Sequence, residues 1–154
     1  MIELKNKSPN LLVIGDLMID QYFWGKSERI SQEAPVQVIN VSNETMVLGG
    51  AGNVINNLKV LGSNVDVISV IGNDENAIKL KDLLISINVD TKYLITEDNR
   101  ITSKKSRVIA SQQQVVRYDR ESIDEISKTS QKLILETFKK IINNYDIVLI
   151  SDYG

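Results

Sequence analysis

Three groups of residues in the chain have types and spacings that could do chemistry. The first is VLGGAGNVINNLKVLG at 47–62, where Gly49, Gly50 and Gly52 run straight into an amphipathic helical pattern. Glycines at such a start let backbone come close to something. A dinucleotide fingerprint would need a third glycine in G-x-G-x-x-G, and a P-loop would need Gly-Lys-Ser/Thr; the chain has neither. Two readings stand. One is a tight turn that seats the helix against a sheet. The other pairs glycine backbone with the Asn53 amide, both donor and acceptor, to hydrogen-bond a polyol.

The second group is GDLMID at 15–20, which places Asp16 and Asp20 just past an apolar run. Ligands of open α/β sheets bind outside the carboxyl ends of strands. Ionised Asp accepts hydrogen bonds only, which suits sugar hydroxyls or a metal. The alternative is a loop whose carboxylates cap nearby backbone. The third group is basic: Arg100, Lys104, Lys105, Arg107 and Arg117 lie in 100–118 with no acidic residue between them. Two-residue alternation points Lys105 and Arg107 the same way. Such a face is either solvated or holds a phosphate dianion through charge-assisted bonds. Arg29, in SERISQEAP, is a further candidate cation.

What is absent narrows the chemistry as much. The 154 residues include no cysteine and no histidine, which removes disulfides, thiolate nucleophiles, the usual zinc sites and any imidazole base. A net charge of −2 gives no reason to expect nucleic acid. Apolar runs are of strand length, far below the ~20 residues that span a bilayer, and MIELKNKSPN lacks the apolar core of a secretion signal. A cytoplasmic location is the default expectation.

The elements that must position these groups alternate. Strands are expected at 11–14 (LLVI), 36–41 (VQVINV), 65–71, 93–95 and 145–150 (YDIVLI). A helix is expected over 53–61, with Val54, Ile55, Leu58 and Leu61 on one face and Gly62 as its stop. A second, capped by Asn73 or Asp74, carries Ala77, Leu80, Leu83, Leu84 and Ile87 on one face. A third is expected from a capping box at Ser122–Glu125 to about Asn143. The alternation predicts an α/β domain with a mostly parallel sheet. Two segments break it: the aromatic cluster at 22–25 with the polar loop 27–32 and strand after it, and a hairpin with arms at 102–110 and 114–118. Both are expected to project from the sheet. The stop at Gly154, right after a buried-type strand, predicts a fragment.

Taken together, GDLMIDQYFWG (15–25), RISQEAPVQV (29–38), GGAGN (49–53), VIGND (70–74), TSKKSRVIASQQQVVRYD (102–119) and LISDYG (149–154) resemble the ribokinase-like (PfkB) carbohydrate kinases. Within that family, RISQEAPV and the hairpin are most similar to the kinase domain of heptose-7-phosphate kinase/ADP-heptose synthases. Ile55 departs from the pattern, which usually has a small residue there.

The resemblance implies a ribokinase-like α/β fold, residues 1–154 forming about the first half of the kinase domain, with β-lid segments at about 20–41 and 100–119. It implies ATP-dependent phosphorylation of D-glycero-D-manno-heptose 7-phosphate at the anomeric hydroxyl, on the route to ADP-heptose for lipopolysaccharide. Asp20, with Asp16, and Asn53 would bond sugar hydroxyls, while Gly49 and Gly50 let backbone approach the sugar. Lys105, Arg107, Arg117 and Arg29 would supply counter-charge for the 7-phosphate. The lid would also form a homodimer contact. In this family a later G-A-G-D motif serves ATP and Mg²⁺ and supplies the catalytic base, so the chain by itself is expected to hold no catalytic residue, cofactor or metal and not to turn over. Other readings are a fructokinase- or ribokinase-type enzyme and a non-catalytic sugar-binding or dimerisation module. An NAD-binding domain is disfavoured by the incomplete fingerprint.

Overall fold

The structure, a computed structural model, describes residues 8–153. Its first layer is a parallel sheet. Strand β1 (Asn10–Gly15) pairs with β4 (Asn64–Gly72) on one side and β8 (Ile147–Ser151) on the other, and β5 (Leu94–Glu97) extends the β4 side, giving the order β5-β4-β1-β8. Alternate β1 residues serve opposite faces, as strand geometry requires. Leu11 and Val13 join Val65, Val67 and Ile71 against helices α1 (Ala51–Val60) and α2 (Glu75–Ser86). Leu12 and Ile68 face the other way, onto Phe138 and Ile141 of α3 (Lys128–Ile141). Helices on both faces explain why β1 reads as an unbroken apolar run and why β4, between its ends, is apolar except at Asp66 and Ser69. Ile55, the departure from the family pattern, is fully buried in the first of these cores, and a side chain of that size contributes about 1.5–3 kcal/mol there.

The second layer is the lid. Strand β2 (Leu17–Ile30) continues β1 after the single residue Asp16, and pairs antiparallel with β3 (Gln37–Gly50) and parallel with β6 (Lys104–Ala110). Strand β7 (Gln113–Arg120) closes a hairpin with β6, so the order is β3-β2-β6-β7. The lid is larger than the sequence suggests. The aromatic cluster and residues 27–30 of the expected polar loop are strand, and the strand expected at 36–41 runs on to Gly50. One face of these strands is exposed over much of their length, so burial leaves no apolar run to read.

Helix α3 is the clearest correction. Ser127, not Ser122, caps it, accepting from the Ser130 N–H at 3.1 Å. The Ser122 hydroxyl is occupied elsewhere, accepting from Ile101 N–H at 2.9 Å. The helix ends at Ile141, and Ile142–Asn144 tighten into a 3₁₀ turn. For α2 the cap is Asp74, whose carboxylate accepts from Ala77 N–H. Strand β8 forms the sheet edge, where Ile147 and Ile150 are exposed.

Candidate sugar site

The β1–β2 junction and the β3–α1 junction meet at the carboxyl end of the parallel sheet. Asp16 is the hub of that meeting. Its N–H donates to Ser151 O, its carbonyl accepts from Ala51 N–H, and its carboxylate accepts from Tyr153 N–H at 2.9 Å. The Asp16 carboxylate thus bonds backbone far away in sequence instead of capping its own loop, while its N–H and carbonyl tie β1 to β8 and α1.

Gly50 adopts φ +56°, a left-handed conformation, and a Cβ there would lie 2.4 Å from the Asp16 carbonyl oxygen. Only glycine makes this turn without strain. It occupies the cap position of α1, and no side chain caps that helix, so its first-turn amides are left to other acceptors. Asn53 sits in this turn, exposed. Gly49 lies against Asp20 so closely that a Cβ would come 2.4 Å from the Asp20 Oδ2.

Asp20 is reached from the lid. Arg107 donates to Asp20 Oδ1 at 2.6 Å, both side chains being about four-fifths buried. The register pairs Asp20 with Lys105 and Tyr22 with Arg107, so these four residues share one lid face. On that face the Arg107 guanidinium stands 5.3 Å over the Tyr22 ring, and Tyr22 stacks on Trp24. Lys105 Nζ donates to Asp119 at 3.2 Å and Glu121 at 3.0 Å. Burial alone would pull the Lys105 pKa down; Glu121 and Asp119 outweigh it and hold it above its ordinary value. Arg117 forks onto Asp119 through Nε at 2.9 Å and Nη2 at 2.7 Å. That guanidinium, aided by Lys105, lowers the Asp119 pKa from 3.8 to about 2.

The basic hairpin is thus not a bare cationic face. Lys105, Arg107 and Arg117 are each matched by carboxylates, from Asp20, Asp119 and Glu121. Asp119 and Glu121 stand just past the segment that looked purely basic. The Arg117-x-Asp119 spacing on a strand was the available signal, since residues two apart share a face. Arg29 is not brought to this group. It lies exposed near the far end of β2, nine positions beyond Asp20 and hence roughly 30 Å along the strand. Beside the junction a cleft of about 640 Å³ opens between lid and sheet, lined by Asp16, Met18, Thr102, Lys105, Glu121 and Tyr153 among others.

A parallel sheet flanked by helices, with a strand-built lid closing over its carboxyl end, is the architecture of ribokinase-like sugar kinases. The chain superposes on a carbohydrate kinase from Agrobacterium tumefaciens with a TM-score of 0.68 at 18% identity, covering 92% of this chain and 45% of that one. It superposes on Arabidopsis thaliana ribokinase complexed with ribose and ATP with a TM-score of 0.61 at 16% identity, covering 94% and 45%. Residues 8–153 match the pfkB family of carbohydrate kinases, and the chain belongs to that family. Among its relatives, the bifunctional protein HldE of Aliarcobacter butzleri is 62% identical over 149 residues, 97% of this chain and 31% of that protein. The HldE of Helicobacter hepaticus is 49% identical over 154 residues, 100% of this chain and 32% of that protein. The chain therefore spans about a third of the length of the curated relatives it matches.

Proposed function

We propose that this chain is the sugar-binding and lid portion of an ATP-dependent kinase that phosphorylates D-glycero-D-manno-heptose 7-phosphate at its anomeric hydroxyl. The observation that carries the reading is the convergence at Asp20. A carboxylate is held against glycine backbone, beside an uncapped helix start and under a lid arginine. Asp20 accepts hydrogen bonds from sugar hydroxyls, while Asn53 and the first-turn amides of α1 beyond Ala51, whose N–H the Asp16 carbonyl already holds, supply donors. Gly49 and Gly50 keep that surface free of Cβ atoms so the ring can approach. Asp16 fixes the junction, as its three backbone partners imply.

The 7-phosphate is bound by exchange. Its oxygens replace lid carboxylates as acceptors for Lys105, Arg107 and Arg117, so charge-assisted bonds are traded and not newly created. Arg29 of the same chain is too remote to join them. ATP supplies the transferred phosphoryl group. The reading assigns ATP, Mg²⁺ and the catalytic base to the family's G-A-G-D motif, which these 154 residues do not contain, so the chain by itself is expected not to turn over. The exposed lid residues Trp24, Ile30, Val36 and Val41 suit a homodimer contact. No helix of the described residues is long and apolar enough to cross a membrane, and the reading places the enzyme in the cytoplasm.

A second reading has a specific observation in its favour. Because the cations are already paired, the lid also suits a neutral sugar, as in a fructokinase- or ribokinase-type enzyme. Titration calorimetry of the chain with heptose 7-phosphate, heptose and ATP separates the two. Binding of the phosphosugar in preference to heptose, with no ATP binding, supports the first reading. Equal binding of both sugars supports the second, and ATP turnover dependent on heptose phosphate would refute the assignment of ATP and the base elsewhere.

A further inference from the structure

The chain crosses between the parallel sheet and the lid four times, and two of the crossings are polar segments of six or seven residues, 98–103 and 121–127. They are bound to each other by Ile101 N–H to Ser122 Oγ and by Arg100 Nη1 to the Asp124 carbonyl. Thr102 is one of the residues that bind them to the sheet, beside Ser127, whose N–H donates to Glu97 Oε1 of β5 at 2.8 Å, and Asp98, whose carboxylate accepts from Asn73 Nδ2 at 3.0 Å. Thr102 is buried, its hydroxyl accepts from Gly72 N–H at 2.9 Å, and its own N–H donates to Asp74 Oδ2 at 3.1 Å. The other Asp74 oxygen accepts from Ala77 N–H at 2.9 Å as the cap of α2. Gly72 is close-packed here, since a Cβ on it would lie 2.1 Å from the Arg100 carbonyl oxygen. One residue further on, the Ser103 carbonyl accepts from Ile19 N–H and opens the β2–β6 ladder. Lys105 and Arg107 follow within five positions of Thr102, on the face that holds Asp20.

We propose that Asp74 is a positioning residue of the phosphosugar site: its carboxylate joins the α2 cap to Thr102 and so fixes where β6 starts, and with it Lys105 and Arg107. This rests on the function proposed above. Asp74 does not line the cleft, so it acts through the lid and not by contact. The carboxylate matters because both its partners are N–H donors, and a side-chain amide can present an acceptor to only one of them. Asp20, on β2, is placed by its own covalent link to β1 and does not depend on this anchor.

The test compares the wild-type chain with Asp74→Ser and Asp74→Asn, each of which keeps an oxygen to cap α2, and with Ser127→Ala as a control that loses the cap of another helix. Amide exchange is followed by residue, and heptose 7-phosphate and heptose are titrated. Loss of one charge-assisted bond predicts exchange at Thr102 and along 104–109 at least about tenfold faster in the Asp74 variants. Phosphosugar affinity should fall about fivefold or more, with heptose affinity unchanged. If the wild type binds the phosphosugar and the Asp74 variants bind it equally well, the inference is overturned. If the wild type binds neither sugar, the proposed function fails, and exchange alone decides on Asp74. Acceleration confined to 102–109 then supports the anchor, and acceleration spread over the molecule as in Ser127→Ala refutes it.

Discussion

Replacing Gly49 with alanine should damage the site through one contact. The new Cβ would stand 2.4 Å from Asp20 Oδ2 and 2.9 Å from both Asp20 Cγ and Met18 Cγ, where ordinary contact begins at 3.4 Å. The carboxylate must therefore retreat by about 1 Å, the difference between 3.4 and 2.4 Å. That movement breaks the 2.6 Å bond from Arg107, a charge-assisted bond between side chains that are about 20% exposed. Allowing for that partial exposure, the loss should cost about 1–2 kcal/mol, or roughly 3–6 °C in Tm for a chain of this size. The assay is a double-mutant cycle by urea denaturation with Gly49→Ala, Asp20→Ala and the pair. Because the clash falls mainly on a carboxylate the second variant removes, the double variant should cost less than the sum, with a coupling of at least about 1 kcal/mol. Strict additivity would refute the reasoning, since it would place the cost of the Cβ on Met18 or on backbone.

Three more outcomes follow from the lid and from α3. The Asp119 pKa of about 2 lies below its ordinary 3.8, so its ion pairs contribute fully above about pH 4 and fade as pH falls toward 2. The stability gap between wild type and Asp119→Asn, read from urea midpoints, should therefore be constant from pH 7 to 5 and shrink between pH 4 and 2.5. A gap that widened there would contradict the pairing. Ser127→Ala should cost about 1 kcal/mol by removing the cap of α3, visible in thermal melts followed by circular dichroism. Ser122→Ala should leave that helix intact and instead speed amide exchange at Ile101.

Strands β1 and β4 are legible because helices cover both their faces and most of their residues are apolar, while β8 is legible from its own apolar run although Ile147 and Ile150 on this edge strand are exposed. Helix α2 is legible for a similar reason, with Leu80 and Leu84 at helical spacing behind an Asp cap. The lid is not legible to its full extent. Residues such as Ser27 and Arg29 are strand because β3 pairs with that stretch of β2, and a hydrogen-bonding neighbour leaves no mark on local composition. The candidate site divides the same way. Glycines at 49 and 50 announce a close approach, and what they approach in the structure is Asp20, Met18 and the Asp16 carbonyl of the same chain. The Arg117–Asp119 half of the lid's charge balance is legible from its two-residue spacing, but the other half is not, because Asp20 and Arg107 are 87 residues apart and meet only through the β2–β6 register. Ser122 misled for a comparable reason: its spacing to Glu125 fits a cap, but a tertiary partner, Ile101, holds its hydroxyl.

The claim that the lid exchanges its own carboxylates for a sugar phosphate is tested most directly at Lys105, which lines the cleft and holds two of them. Heptose 7-phosphate and heptose should be titrated calorimetrically into wild type and Lys105→Gln. The account predicts that the variant binds the phosphosugar about tenfold or more weakly while heptose affinity is unchanged. Equal losses for the two sugars, or none for either, would contradict it.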